Sequence, residues 1–223
     1  AFDYARDCVV EDWGLTRAAA RIACARQEAP ASVLLDNGDI LQGTPLAQHF
    51  GGRGKGQTGL HPVFAAFEAM GYDAVGLGNH EFDYGLSALE TMLSGTKIPV
   101  LCANVLTHQG ADPEQGRHGG GAHLMGRVVT RSLVACATVH VDRLRTDGAD
   151  IVVLLAHTGI DPNAAHARTE NAALALAKIP GIDAIITGHT HGLFPDPTVQ
   201  GKGIDARAGT LHGRPAVMPG YRG

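Results

Sequence analysis

The chain has no surplus of positive charge: 18 Lys and Arg stand against 22 Asp and Glu over 223 residues, a formal net charge of -4. Arg17, Arg53 and Lys55 are scattered rather than run together, so no basic field exists to hold a nucleic-acid polymer. No run of about 18 apolar residues occurs, which removes a membrane-spanning helix from consideration. Nor does the chain open with a basic segment followed by an apolar one. Asp3, Arg6 and Asp7 stand there instead, so no export signal is visible, and with no initiator Met at Ala1 the compartment stays open. The four cysteines, Cys8, Cys24, Cys102 and Cys136, show no C-x-x-C spacing; buried free thiols are expected, with a Cys8 to Cys24 disulfide as the sharper alternative. A P-loop is lacking too. Gly54-Lys55-Gly56 is not followed by Ser or Thr, and no strand precedes it. Finally, no Asp-x-His pair occurs ahead of Gly78.

What is present is ordinary for one globular enzyme domain, with 44% hydrophobic and 18% charged residues. The apolar spacing predicts alternating helices and strands. Leu15 to Ala29 reads as a helix ended by Pro30 and followed by a strand over Ser32 to Asp36. Pro62 suits a first helical turn, Val63, Phe64, Phe67 and Met70 form an inner face, and Gly71 ends it before a strand over Asp73 to Leu77. The same step recurs at Leu86 to Leu93 and Pro99 to Cys102, at Leu133 to Leu144 and Ile151 to Ala156, and at Ala172 to Lys178 and Ile182 to Thr187. Such alternation implies an α/β layered sheet, whose ligand site lies at the carboxyl ends of the strands. Two glycine-rich stretches, Gly51 to Gly59 and Thr107 to Gly126, interrupt the rhythm and read as loops without strands.

Polar residues of metal-ligating type cluster at four of those strand ends. In Asp36-Asn37-Gly38-Asp39 the Asp39 carboxylate has two oxygens and can bridge two cations, whereas Asn37 is expected to be a turn residue. An isolated Asp-Asn-Gly-Asp is more commonly a turn, so the assignment rests on the other motifs. In Gly78-Asn79-His80-Glu81 the Asn79 amide oxygen can face a metal while its neighbour His80 points elsewhere. His80 is then free for acid work with Asp83, three residues on, holding one ring nitrogen. Glu81 is expected to be a supporting carboxylate. His157 follows Ile151 to Ala156, and His189 and His191, two residues apart in Gly188-His189-Thr190-His191, can serve neighbouring metals. A mixed oxygen and nitrogen set suits Zn, Mn, Fe or Co better than Ca or Mg. His49, His61, His108, His118, His123, His140, His166 and His212 carry no ligand spacing and are expected to be structural or solvated.

Together, Asp36 to Pro45, Gly78 to Gly85, Cys102-Ala103-Asn104-Val105, Ala156 to Gly159 and Gly188 to His191 resemble the calcineurin-like metallophosphoesterases. Leu41-Gln42-Gly43, Phe194-Pro195 after His191, and Pro215 to Gly220 are most similar to one branch, the amino-terminal catalytic domains of periplasmic 2′,3′-cyclic-nucleotide 2′-phosphodiesterase/3′-nucleotidases. The 5′-nucleotidase and UDP-sugar hydrolase branch comes next. The resemblance implies a four-layer α/β/β/α sandwich lacking its first strand and part of its second sheet. Residues 1–223 would form the catalytic domain, with the carboxyl-terminal nucleotide-binding domain absent. It further implies two divalent metals bridged by Asp39, one taking Asn79, His157 and His189, the other His191 plus the missing Asp-x-His. The implied reaction is hydrolysis of small nucleotide phosphate esters in the periplasm, with His80 and Asp83 as the acid dyad. The missing pair also leaves open a degenerate domain that binds one metal without turnover.

Overall fold

A computed structural model of the chain describes residues 2–3, 7–9, 14–52, 60–107, 117–118, 124, 127–163 and 170–221. A short antiparallel ribbon (β1, Phe2–Asp3; β2, Cys8–Val9) precedes helix α1, Leu15–Glu28. Three parallel strands follow, β3 (Leu35–Asp36), β4 (Ala74–Gly76) and β5 (Val100–Leu101), in the order β3-β4-β5. Between them run α2 (Pro45–Gly52), α3 (Pro62–Met70), a 3₁₀ turn (His80–Phe82) and α4 (Leu86–Leu93). Helix α3 starts and stops where its sequence dictates. Pro62 occupies the first turn, the His61 ring accepts the Val63 N–H at 3.3 Å, and Gly71 closes the helix in the left-handed region at φ 72°. Phe64 and Phe67 on its inner face join Leu41, Val75, Leu89, Met92 and Ile98 in one buried core.

Beyond β6 (Val105–Thr107), β7 (Arg117–His118) and β8 (Val128–Thr130), the second half repeats the α-then-β step. Helix α5 (Leu133–Thr146) leads into β9 (Val153–Ala156), and α6 (Ala173–Leu176) into β10 (Ala184–Thr187). Then come β11 (Leu193–Phe194), β12 (Ile204–Asp205), β13 (Thr210–Leu211) and β14 (Arg214–Pro219). The six strands from β9 onward make one sheet in the order β12-β13-β14-β10-β9, with β11 on β14. Its centre is parallel: Ala184 pairs with Val153, Thr187 with Ala156, and Ile186 with Val217. A second core of Val141, Leu176, Ile185, Phe194, Leu211 and Met218 packs α5 and α6 against it. The two sheets meet where β4 has no side chain, since a Cβ on Gly76 would lie 3.6 Å from the Leu155 Cβ of β9. The architecture is mixed α/β, as the alternation implies, with helices outside and sheets facing inward.

Two expectations need correction. The stretch Thr107 to Gly126 is not strandless, because β7 lies inside it and pairs with β8, which also pairs with β6. A two-residue strand among glycines carries no alternation to read. Helix α1 forms where expected but buries none of its side chains. The thiols are free and no disulfide links Cys8 to Cys24, yet three of them are exposed rather than buried. Residues 53–59 and His108, His123 and His166 lie outside the described residues.

The loops after β3 and β4 are locked together by one carboxylate. Glu81 is fully buried, and its two oxygens accept the N–H groups of Gly78, Asp39 and Ile40 at 2.7 Å and of Leu41 at 3.0 Å. Nearby, at the end of β3, Asp36 accepts the Gly38 N–H at 2.8 Å. Burial lifts its carboxyl from 3.8 to about 7; that N–H opposes the shift, while the charges of Glu81 and Asp39 add to it.

Each carboxylate gives a measurable expectation. Glu81→Ala leaves four N–H groups without their acceptor and should cost about 3 kcal/mol or more, read as a lower urea midpoint; Glu81→Gln should also destabilise, because its amide N–H₂ would face donors. For Asp36 the folded carboxyl holds a proton that the unfolded chain releases between about pH 4 and pH 7. Stability of protein stripped of divalent ions should therefore fall as pH rises through that window. Asp36→Asn should flatten the decline and be the more stable form at pH 8, as measured by urea unfolding at pH 5 and pH 8.

Candidate metal centre

Each functional side chain is delivered by a loop that leaves a parallel strand at its carboxyl end. Asp39 follows β3, Asn79 and His80 follow β4, His157 follows β9, and His189 follows β10. Close approach of the first two loops requires glycine. Gly38 has φ 90°, and a Cβ there would collide with the Gly78 backbone, while a Cβ on Gly78 would collide with the Asp39 carboxylate. The carboxylate is then held by the His80 N–H, which donates to Asp39 Oδ1 at 3.0 Å.

Asp39, His157 and His189 present ligand atoms that all lie within 4.8 Å of one another. Asp39 Oδ2 is 2.8 Å from His157 Nε2, but the approach lacks hydrogen-bond alignment, and buried Nε2 has no hydrogen-bond partner. The other ring nitrogen, Nδ1, is 2.8 Å from the main-chain oxygen of Asn37 and donates its proton there. That bond orients the ring so that Nε2 faces Asp39, where it carries a proton or, in the neutral ring, offers its lone pair to an ion placed between them. His189 Nδ1 lies 3.0 Å from Asn79 Oδ1, and the His157 and His189 rings are 5.4 Å apart, edge to face. An orphaned buried imidazole nitrogen, a carboxylate oxygen beside it, an amide oxygen and a second imidazole nitrogen fit the donor set of one divalent transition ion. Burial pushes the Asp39 carboxyl up, yet the His157 ring and the His80 N–H outweigh it and hold it below its ordinary value. Burial likewise pushes His157 down, and Asp39 reverses that.

His80 and Asp83 sit beside this group. His80 Nδ1 is 2.7 Å from Asp83 Oδ2, and that bond raises the ring's pKa above its ordinary value against the pull of burial. His191 is placed differently. It is exposed, stands outside the Asp39, His157 and His189 group, and packs at 4.8 Å against the Tyr221 ring. Asp39, His189 and His191 share one backbone trait, φ values of 65°, 69° and 59°. Non-glycine residues seldom occupy that region, though Asp and His do so more readily than most, and such strain concentrates at functional sites.

Two contributors carry no sequence signal that the motifs expose. Asn37 acts through its main-chain oxygen, on His157, and its amide nitrogen also donates to the Ile186 oxygen at 3.2 Å. Glu170 meets His189 Nε2 at 2.9 Å across 19 residues of chain. The supporting role expected of Glu81 is visible in its four backbone bonds.

Comparison with known proteins identifies the family. Residues 11–193 match the family described as calcineurin-like phosphoesterase. The chain is 37% identical to a 2′,3′-cyclic-nucleotide 2′-phosphodiesterase/3′-nucleotidase of Salmonella typhimurium over its whole length, spanning 39% of that protein. It is 35% identical to the trifunctional nucleotide phosphoesterase protein YfkN of Bacillus subtilis over 98% of the chain and 17% of that protein. The crystal structure of the Bacillus subtilis phosphoesterase YfkN superposes with a TM-score of 0.87 at 33% identity, covering 98% of this chain and 76% of that one. A rat 5′-nucleotidase is 28% identical over 80% of this chain and 32% of its own length. With a match over residues 11–193 and relatives above a third identical along the full chain, the protein belongs to the calcineurin-like phosphoesterase family.

Proposed function

We propose that residues 1–223 form a catalytic domain that hydrolyses nucleotide phosphate esters, with 2′,3′-cyclic nucleotides and 3′-nucleotides as substrates. The observation that carries the reading is the convergence of Asp39, Asn79, His157 and His189 beside the His80 and Asp83 pair. The more similar relatives by name act on 2′,3′-cyclic and 3′-nucleotides, which favours this over 5′-nucleotidase activity.

Asp39, Asn79, His157 and His189 would hold one divalent ion, and Asp39 with His191 would contribute to a second, Zn, Mn, Fe or Co being the candidates. Such ions supply Lewis-acid polarisation of a phosphoryl oxygen and lower the pKa of a bound water. The chain's own groups do the rest. Asp39, fixed by the His80 N–H, gives the site a negative anchor that stays ionised at neutral pH. The His157 ring is oriented by Asn37 so that its free nitrogen points inward. His80, whose pKa the Asp83 bond raises, donates to the phosphate as negative charge grows and hands its proton to the leaving sugar oxygen. The periplasm is the compartment we assign, and nucleotide breakdown the role; cell fractionation with the full-length gene product checks the former.

A second reading, an ion-binding domain without turnover, is favoured by His191, which stands outside the Asp39, His157 and His189 group. Metal titration separates the two. Two ions per chain with hydrolysis support the enzyme, whereas one ion without hydrolysis of any phosphate ester supports the second reading.

Three outcomes are expected from kinetics with 2′,3′-cyclic AMP and 3′-AMP. His80→Ala should lower kcat by roughly 10²- to 10⁴-fold while metal content measured by mass spectrometry stays near the wild-type level; full retained activity would remove the acid role. Asn79→Ala should lower metal occupancy first, and activity with it, recoverable by raising the ion concentration. Asp83→Asn withdraws the group that holds the His80 proton, so the alkaline limb of the kcat profile should move to lower pH; an unmoved limb would show that another group limits the rate there.

A further inference from the structure

Glu170 belongs neither to the ligands nor to the acid dyad, yet it touches both strand ends that supply the imidazoles. Its Oε1 lies 2.9 Å from His189 Nε2, the ring nitrogen opposite the one that faces Asn79 Oδ1. Its main-chain oxygen accepts the Thr158 hydroxyl, and the same hydroxyl accepts the Ala172 N–H at 2.8 Å. Thr158 is buried and directly follows His157. The backbone at Glu170 is thus pinned to the end of β9 while its carboxylate reaches to the end of β10. A neutral imidazole carries a single N–H, and whichever nitrogen keeps it cannot ligate a metal. Both ring nitrogens of His189 face oxygens, and the charged Glu170 carboxylate is the stronger acceptor, so it keeps the proton at Nε2 and leaves Nδ1 to serve an ion together with Asn79 Oδ1.

We propose that Glu170 is a positioning residue that holds His189 in the Nε2–H tautomer, with Nδ1 turned toward the ion shared by Asp39, Asn79 and His157. The inference rests on the ion-site reading above and adds an outer carboxylate to it. The Glu170 side chain is 77% exposed, so its contribution comes from aiming the ring rather than from a strong charge interaction. That exposure also makes Glu170 replaceable without disturbing the core. His157 has its counterpart in the main-chain oxygen of Asn37, so both imidazoles proposed for this ion have a dedicated acceptor on the far side.

The test is Mn²⁺ binding by calorimetry to the whole chain stripped of metal, together with ¹⁵N NMR of the His189 ring in the metal-free protein. Glu170→Ala should weaken binding of the tighter ion roughly 10- to 100-fold with unchanged stoichiometry, and His189 should pass from one tautomer to a mixture. Glu170→Gln keeps an oxygen able to accept from Nε2–H and should restore most of the affinity, a rescue that a purely structural role would not produce. Unchanged affinity and tautomer in Glu170→Ala overturn the proposal. So does loss of a whole ion equivalent that Glu170→Gln fails to restore, since Glu170 would then be a ligand itself. A wild-type chain that takes up no Mn²⁺ removes the ion site, and the inference falls with it before any Glu170 variant is made.

Discussion

The site depends on a carboxylate that takes no direct part in it. Glu81 gathers four backbone N–H groups from two loops, and without that acceptor those loops would carry unpaired donors into the space between two sheets. Side-chain ligands placed on two separate strands could drift independently. Here the Asp39 N–H and the Gly78 N–H share one oxygen, so the loop bearing Asp39 and the loop bearing Asn79 are tied to each other. His80 is drawn into the same unit through its own N–H to Asp39.

The two halves of the molecule meet at this unit by different means. Asn37, at the first sheet, reaches the second through its oxygen on His157 and its amide on Ile186. Gly76 and Gly188 provide the clearance, since a Cβ at Gly188 would press on the Asn37 amide at 3.1 Å. Ligand geometry is therefore set by main-chain hydrogen bonding and by missing side chains more than by the ligands' own contacts. Rigid backbone delivery of this kind suits a site in which small displacements weaken both metal binding and catalysis.

Much of this was legible in the sequence. Helix α3 could be bounded to the residue from Pro62 and Gly71, because each is favoured at one end of a helix. The strand-end placement of Asp39, Asn79, His157 and His189 followed from apolar runs broken by Gly38, Gly78 and Gly188. Strand lengths were overestimated, as β3 covers only Leu35–Asp36 of the apolar run that suggests it. β7 escaped because two residues between glycines have no period. Helix α1 is rich in alanine, which favours a helix without requiring burial. Glu170 and the Asn37 carbonyl were invisible for a different reason: their partners are chosen by the folded arrangement, across 19 and 120 residues of chain.

Three of the proposed ligands, Asp39, His189 and His191, adopt positive φ, a conformation in which glycine would be more comfortable. Replacing any of them by glycine would relieve backbone strain while abolishing a ligand. Folding and chemistry thus pull in opposite directions at these positions. A copy of this domain released from selection for the proposed chemistry would be expected to lose these side chains while becoming easier to fold.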